Sequence, residues 1–304
     1  MLNRFVRTFV CTVLLLKTIG FTKAQTDSAH FFKKRQTILK VSSIGGGIAT
    51  GTALYFAWYK NYSTNNFHFF NDAPEWLQID KVGHVYSNYQ LSLLGFNACK
   101  WANYSDKQSL IYSSVAVFGY LTTIEIMDGF STGWGFSASD MLANASGISI
   151  FAFQQHFLND QFIKLKFSFH QTQYPKYRQE LLGNNLAEQL LKDYNGQTYW
   201  LSFNPFYFSG ENCKFPKWLN LAIGYGAEGM ISGRDNYVII PTNGSIIGNN
   251  RNRKLLLSLD LDLTKIKTKS KFLKNIFVVF NSIKIPAPTI ELTNKRILFH
   301  YFYY

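Results

Sequence analysis

The sequence of 304 residues has few cysteines and lacks the compact motifs that mark common enzyme and metal sites. No CxxC, HExxH, P-loop or GxSxG pattern occurs, and no GxGxxG pattern leads into a helix. Cys11 lies in the N-terminal apolar run, which leaves Cys99 and Cys213. These two residues form either a disulfide or two buried thiols, and their pairing does not follow from the sequence.

Acidic residues are scarce: 18 Asp and Glu stand against 31 Lys and Arg, a formal net charge of +13. The surplus is concentrated between Arg251 and Lys274, where eight basic residues accompany two aspartates. Such a stretch is either a solvated face or a binding surface for anionic envelope lipids or glycans. We expect no nucleic-acid partner, because the chain begins with an export signal.

Residues 1–24 are typical of a secretory signal peptide. Arg4 and Arg7 precede an apolar run, and a small-x-small triplet predicts cleavage after Ala24. The alternative is an uncleaved N-terminal anchor. Because Cys11 lies inside the apolar run and not at its end, we predict that the chain is exported to the periplasm or outer membrane without becoming a lipoprotein.

The mature chain divides by hydrophobic period into a helical domain, 25–160, and a β-rich domain, 161–304. The first domain predicts a bundle of about four helices, the third of them capped by Ser105. No helix contains a clean stretch of eighteen apolar residues, so none is a certain membrane span. Glycines in the first helix predict close approach of another backbone; they are Gly45, Gly46, Gly47 and Gly51.

The β-rich domain alternates apolar and polar residues in about five segments. In one segment Leu255, Leu257 and Leu259 share a face, while Asp260 and Asp262 lie on the other. The two aspartates either hold a cation, line a polar interior or lie in solvent, and we expect them in solvent as the simplest of the three. The fold class is therefore α+β, a helical bundle followed by an antiparallel sheet. We favour a sheet covered by the helical half, and a barrel wall, apolar outside and polar inside, is the alternative.

Polar residues recur at helical spacing on otherwise apolar helices, which is costly unless the polar groups meet partners. We predict that they converge in one cluster, closed at one end by the glycine-serine loop between Met127 and Ser139. The predicted cluster comprises Asp80, Lys81, His84, Glu125, Asp128, Asp140 and Asn144. The tight turn that contains Gly133 and Gly135 is either an anion cradle or lid, or the two glycines only supply unusual backbone angles.

The pattern "DKVGH", a following tyrosine, a glutamate and "DG…GWGFSASDMLAN…G" resembles domain of unknown function 2279. Members of that family are predicted periplasmic, YfiM-like proteins with a fainter similarity to the VanZ-like membrane family. The resemblance covers the helical half from about Trp76 to Phe157. It implies an exported envelope protein and carries no established activity.

Three interpretations of the predicted cluster remain open. It is a structural network that fixes helix register, the interpretation we favour. Alternatively, His84 and the acids bind zinc or manganese. In the third interpretation, His84 or Glu125 is a general base and Lys81 holds a phosphate.

We therefore expect a structural or assembly role at the outer membrane or its periplasmic face. An enzyme, either a hydrolase or a transferase acting on an envelope lipid or glycan, and a membrane-embedded binding module are the alternatives.

Overall fold

The computed structural model describes most of the chain. The described residues are 28–60, 62–209, 214–235, 237–239, 246–248 and 250–304. The predicted signal peptide and Cys213 lie outside them, whereas Cys99 is a buried thiol. The chain forms two compact units: the helical unit, Met1–Asp72 with Ser87–Phe157, and the sheet unit, Ala73–Tyr86 with Leu158–Tyr304.

The predicted helices are confirmed. They are α1 (Ser28–Leu54), which continues in a π-helical turn (Tyr55–Tyr59), α2 (Ile79–Trp101), α3 (Asp106–Gly129) and α4 (Ala138–Leu158). Ser105 caps α3 as predicted, because its hydroxyl accepts from the Gln108 amide while the Gln108 side chain accepts from the Ser105 amide.

Aromatic packing and one close helix approach hold the helical unit together. Phe151 of α4 is fully buried and makes edge contacts with Tyr89 and Phe96 of α2. Gly95 of α2 lets the α3 backbone approach, since a Cβ there would lie 3.1 Å from the Ser113 Cβ.

The expectation of close packing at the α1 glycines was wrong. Added Cβ atoms at Gly45, Gly46 and Gly51 would meet nothing within 4 Å among the described residues. At Gly47 an added Cβ would meet only the Tyr120 ring, 3.9 Å away.

The sheet unit contains eight strands and three helices among its described residues. The strands are β1 (Ile163–Phe169), β2 (Gln197–Phe203), β3 (Leu219–Glu228), β4 (Tyr237–Ile239), β5 (Ile246–Gly248), β6 (Asn252–Leu261), β7 (Ala287–Thr293) and β8 (Arg296–Tyr303). The helices are α5 (Gln179–Leu182), α6 (Leu186–Lys192) and α7 (Lys271–Phe280).

Six strands form one antiparallel sheet in the order β1-β2-β3-β6-β7-β8, and β4 and β5 form a separate hairpin. In the described part of the chain β1 and β8 are edges, so the sheet is not closed into a barrel. The α+β class is thus confirmed. The sequence missed β7, because Pro286, directly before the strand, and Pro288, its second residue, indicated a break.

The two faces of the sheet have reversed polarity compared with the sheet of a water-soluble protein. The inner face buries polar and small side chains around Trp200, Ala222 and Leu256. The expectation that Asp260 and Asp262 lie in solvent was wrong, since each residue is 1% exposed. The exposed side chains of β6 are Leu255, Leu257 and Leu259, which are 46–53% exposed.

Candidate functional site

The seven predicted polar residues are divided between the two compact units. Asp80, Lys81 and His84 belong to the sheet unit, and the other four belong to the helical unit. Their convergence in one cluster therefore stays a prediction, and the local surroundings of each group are described in turn.

Asp80 is the hub of the polar group in the sheet unit. Its Oδ1 accepts a hydrogen bond of 2.7 Å from the Tyr194 hydroxyl, and its Oδ2 lies 2.9 Å from the Lys81 Nζ. One helical turn along α2, the His84 Nε2 lies 3.8 Å from Oδ1. The carboxylate can therefore orient the imidazole while it compensates the lysine charge.

The Asp80 carboxylate is held in its ionised form. Burial raises the pKa of Asp80, but the charges of His84 and Lys81 and the hydrogen bonds from Lys81 and Tyr194 outweigh burial. The net result is a pKa below the ordinary value of 3.8. An acceptor with these partners suits a hydrogen-bonded support better than a free general base.

A strained turn positions Asp80 at the start of α2. The residues of Trp76–Gln78 have φ between 48° and 64°, a left-handed conformation that costs about 1–2 kcal/mol for each L-residue. Three hydrogen bonds anchor the turn. The Trp76 amide donates to the Gly233 carbonyl, and the Leu77 carbonyl accepts from the Tyr225 hydroxyl. The Gln78 side chain accepts from Arg253. The sequence does not predict this turn, because bulky residues rarely adopt a left-handed conformation.

Ile79 fixes the turn and the helix start to the sheet. It is fully buried against Ala227 and Met230. Further along α2, an added Cβ at Gly83 would lie 2.8 Å from the Tyr199 hydroxyl, so glycine lets the helix lie close to β2. This packing explains why the first turns of α2 belong to the sheet unit.

In the helical unit, Asp128 accepts a 2.6 Å hydrogen bond from the Tyr59 hydroxyl. Burial raises the pKa of Tyr59, and the charges of Asp128 and Glu125 raise it further. Tyr59 therefore remains a hydrogen-bond donor at physiological pH. Glu125 is 1% exposed and lies one turn before Asp128 on α3.

Asn144 and Asp140 are held by neighbours in the same unit. The Asn88 Nδ2 donates to the Asn144 Oδ1 over 2.6 Å, which joins α2 to α4. Ser137 caps α4, since its hydroxyl accepts from the Asp140 amide at 3.0 Å. The Ser137 hydroxyl in turn donates to Asp72 at 2.6 Å.

The glycine-serine loop pairs with an aromatic segment, residues 62–70, that the sequence did not connect to it. The Asn65 amide donates to the Phe130 carbonyl, and the amides of Phe70 and Phe136 donate to the carbonyls of Phe136 and His68. These bonds hold the loop against the segment that follows the π-helical turn.

Glycine is required in this loop for space. Added Cβ atoms would lie 2.6 Å from the Tyr62 ring at Gly133 and 2.5 Å from the Phe70 Cβ at Gly135. Neither glycine has a positive φ, so the interpretation that they supply a left-handed conformation was wrong. Trp134 stacks near Tyr62, with ring centroids 4.5 Å apart, and completes the aromatic contact.

The inner face of the sheet carries a second charged group. The Lys166 Nζ lies 2.7 Å from the Asp260 Oδ2, and the Lys284 Nζ lies 4.0 Å from the Asp260 Oδ1. Nearby, the Lys164 Nζ lies 2.9 Å from the Asp262 Oδ2. The sequence missed these pairs because they join strands that are distant along the chain.

The charges of this second group are directed at one another. Ser202 donates to the Asp260 Oδ2, and the Lys284 Nζ lies 5.0 Å from the centre of the Trp200 ring. The buried charges of this group are thus compensated by partners within the sheet unit.

Residues 68–156 match the model of the family described as predicted periplasmic lipoprotein, domain of unknown function 2279. The resemblance found in the sequence is thereby confirmed, and it supports an exported, periplasmic or envelope location. It gives no support to the prediction that the chain is not a lipoprotein. No curated protein and no solved structure matches the chain.

Proposed function

Because residues 68–156 match the model of this family of predicted periplasmic lipoproteins, we propose that the protein is a membrane-associated structural or assembly component of the bacterial cell envelope. The observation that carries the proposal is the apolar outer face of the sheet.

A continuous row of apolar side chains crosses five strands on the outer face. Its members pair directly from strand to strand and are 44–58% exposed; they are Leu201, Ile223, Leu257, Ile290 and Phe299. A second row runs beside it through Leu255, Leu292 and Ile297. Water-soluble monomers rarely expose a contiguous apolar surface of this extent.

The opposite face makes lipid the preferred occupant of this surface. A sheet in water buries its apolar face, and here the buried face carries the lysine-aspartate pairs. Apolar outside and polar inside is the arrangement of a lipid-contacting sheet. β1 and β8 are unpaired edges in the described part of the chain, and an open sheet cannot cross a membrane by itself. The sheet therefore contacts the hydrocarbon only with its outer face.

A helix in the other unit supports the same environment. Among the described residues, only α3 is long and apolar enough to cross a membrane, and 11% of its most apolar window is buried. Ile111, Val115 and Phe118 are exposed along it. One such helix is modest support by itself, and it agrees with the polarity of the sheet.

Membrane fractionation tests the proposal. The full-length chain is expressed in a diderm bacterium, and the membranes are washed with high salt and then with alkaline carbonate. We expect the protein to remain in the pellet until detergent is added. Recovery of a monodisperse protein in the periplasmic extract, without detergent, overturns the proposal.

Cysteine labelling tests the sheet face directly. Leu257→Cys is compared in native membranes with Leu186→Cys, since Leu186 is an exposed residue of α6 outside the two rows. With a membrane-impermeant maleimide, we expect labelling at 257 to be about tenfold slower, because lipid excludes the reagent and water. The difference should vanish after denaturation in SDS, and equal rates in intact membranes contradict the proposal.

A second candidate function is hydrolysis or group transfer on an envelope lipid or glycan. It is favoured by one observation, the His84 imidazole beside an ionised carboxylate and the Lys81 ammonium. Turnover of envelope lipids by the purified protein, lost in His84→Ala with the fold retained, supports it. An unchanged rate in that variant removes it.

A further inference from the structure

The segment formed by residues 265–280, which contains α7, combines exposed lysines with exposed aromatic side chains. It contains five lysines and no acidic residue. Ser270 begins the helix, because its hydroxyl accepts from the Leu273 amide at 3.3 Å.

The apolar residues of α7 are arranged on one helix face. Phe272, Ile276 and Phe280 follow each other at spacings of four, and Leu273 lies beside them. Phe272 and Phe280 are 68% and 51% exposed, so this face is not used to fill the core of the sheet unit.

The lysines around this face remain open to solvent. Lys265 is engaged by Asp160, with the Nζ 2.6 Å from Oδ2. Lys267, Lys269 and Lys274 are exposed, and among the described residues no ion pair is recorded for them. Basic side chains left without acidic partners create a local positive potential.

We propose that α7 and the lysines before it form an interfacial anchor that binds anionic lipid headgroups while Phe272 and Phe280 enter the acyl boundary. The inference rests on the proposed membrane association and names the lipid class. A basic helix with exposed aromatic residues has the composition of interfacial helices. Each lysine close to an anionic surface strengthens binding about fivefold, and salt screens the attraction.

The anchor is tested with the full-length protein in vesicles. Phe272→Cys is labelled with an environment-sensitive fluorophore and reconstituted in phosphatidylcholine, alone or mixed with phosphatidylglycerol. We expect at least about twofold higher emission in the anionic vesicles, reversed by high salt, because the probe moves into the headgroup boundary. A label at Leu186→Cys should report no dependence on lipid charge.

Charge reversal separates this anchor from a general effect of net charge. Lys267→Glu, Lys269→Glu and Lys274→Glu together should abolish the response to phosphatidylglycerol. The matched control reverses three exposed lysines of α1, Lys33, Lys34 and Lys40, and should keep the response. Loss in both variants, or in neither, overturns the inference.

The outcome is distinguishable from failure of the proposed function. If Leu257→Cys is protected from labelling in membranes but the emission of the probe at 272 does not depend on lipid charge, the anchor is wrong and the proposed membrane association is retained. If the protein is soluble in the periplasmic extract, its co-sedimentation with anionic vesicles still tests the anchor by itself.

Discussion

Lys166 and Asp260 form an ion pair inside the sheet unit, with the Nζ 2.7 Å from Oδ2 and neither side chain exposed. Lys166 lies on β1 and Asp260 on β6, so β2 and β3 separate them in the sheet. The pair bridges from edge strand to central strand across the inner face. The inner face therefore buries paired charges, and the exposed apolar side chains of the same sheet lie on the outer face.

Asp260→Asn should strongly destabilise the sheet unit. Removing one partner of a buried pair leaves the lysine charge uncompensated, which costs about 3–5 kcal/mol. We expect a corresponding fall in the free energy of unfolding, measured by chemical denaturation. Asp106→Asn is the control, because its pair with Lys100 is exposed and its loss should be hard to detect.

A triple replacement sharpens this test. Lys166→Met and Lys284→Met with Asp260→Leu remove all three buried charges, since Lys284 also faces Asp260. The triple variant should recover much of the loss, because apolar residues can replace a buried charged group at little cost. Recovery would mean that the group contributes register and not net stability, and a triple variant as unstable as Asp260→Asn would contradict that explanation.

The Asp160–Lys265 pair should make stability depend on acid pH. Burial raises the pKa of Asp160, but the hydrogen bond and charge of Lys265 outweigh it, so the folded pKa lies below the ordinary 3.8. A lowered folded pKa contributes stability that is present above pH about 4 and is lost as the pH falls through the folded value.

Lys265→Met isolates this contribution. The variant should be less stable than the wild type at pH 5–7, by no more than about 1 kcal/mol because the pair is partly exposed. The two proteins should become equal as acid protonates Asp160. A difference that persists to the lowest pH at which both proteins fold would show that Lys265 stabilises by packing.

Gly133→Ala should destabilise the helical unit, because the added methyl group meets the Tyr62 ring 2.6 Å away. Gly45→Ala in α1 is the matched substitution, since an added Cβ there meets nothing within 4 Å in the part of the chain that the structure describes. It should stabilise α1 by about 0.5–1 kcal/mol through helix propensity. Thermal unfolding followed by circular dichroism compares both variants with the wild type.

His84→Ala and Asp140→Ala distinguish the three interpretations of the predicted cluster. A structural network predicts that both variants lower the unfolding temperature, because buried partners lose their compensation. An active site predicts retained or raised stability with lost function. Metal analysis of the purified protein completes the test: a bound metal ion that is lost in both variants would establish the metal interpretation.

Much of the fold was predictable because it depends on local period. The 3.6-residue period of the apolar residues located α1 to α4, and the serine before α3 located its cap. The two-residue period located β1, β2, β3, β6 and β8. β7 was missed because one proline directly before it and another at its second position are typical of a break.

Less of the candidate site was predictable. Spacing placed His84 beside Asp80, since neighbours four apart on a helix must share a face. The partners of that pair were not visible, because Tyr194 is distant in sequence and the strained turn before Asp80 has no local signal. Asp260 and Asp262 were assigned to solvent because aspartates are mostly exposed in folded proteins. Their lysine partners lie on other strands or loops and could not be identified from the sequence.

The sequence by itself determined the helices, most strands, the α+β class and the family resemblance, because these follow from neighbours within a few residues. Tertiary structure decided which face of the sheet is buried, since alternation defines two faces and does not say which is inside. It also decided that Gly133 and Gly135 serve close aromatic packing. Both outcomes depend on contacts between distant segments, where the gain in buried surface and paired charge is realised only after the chain has folded.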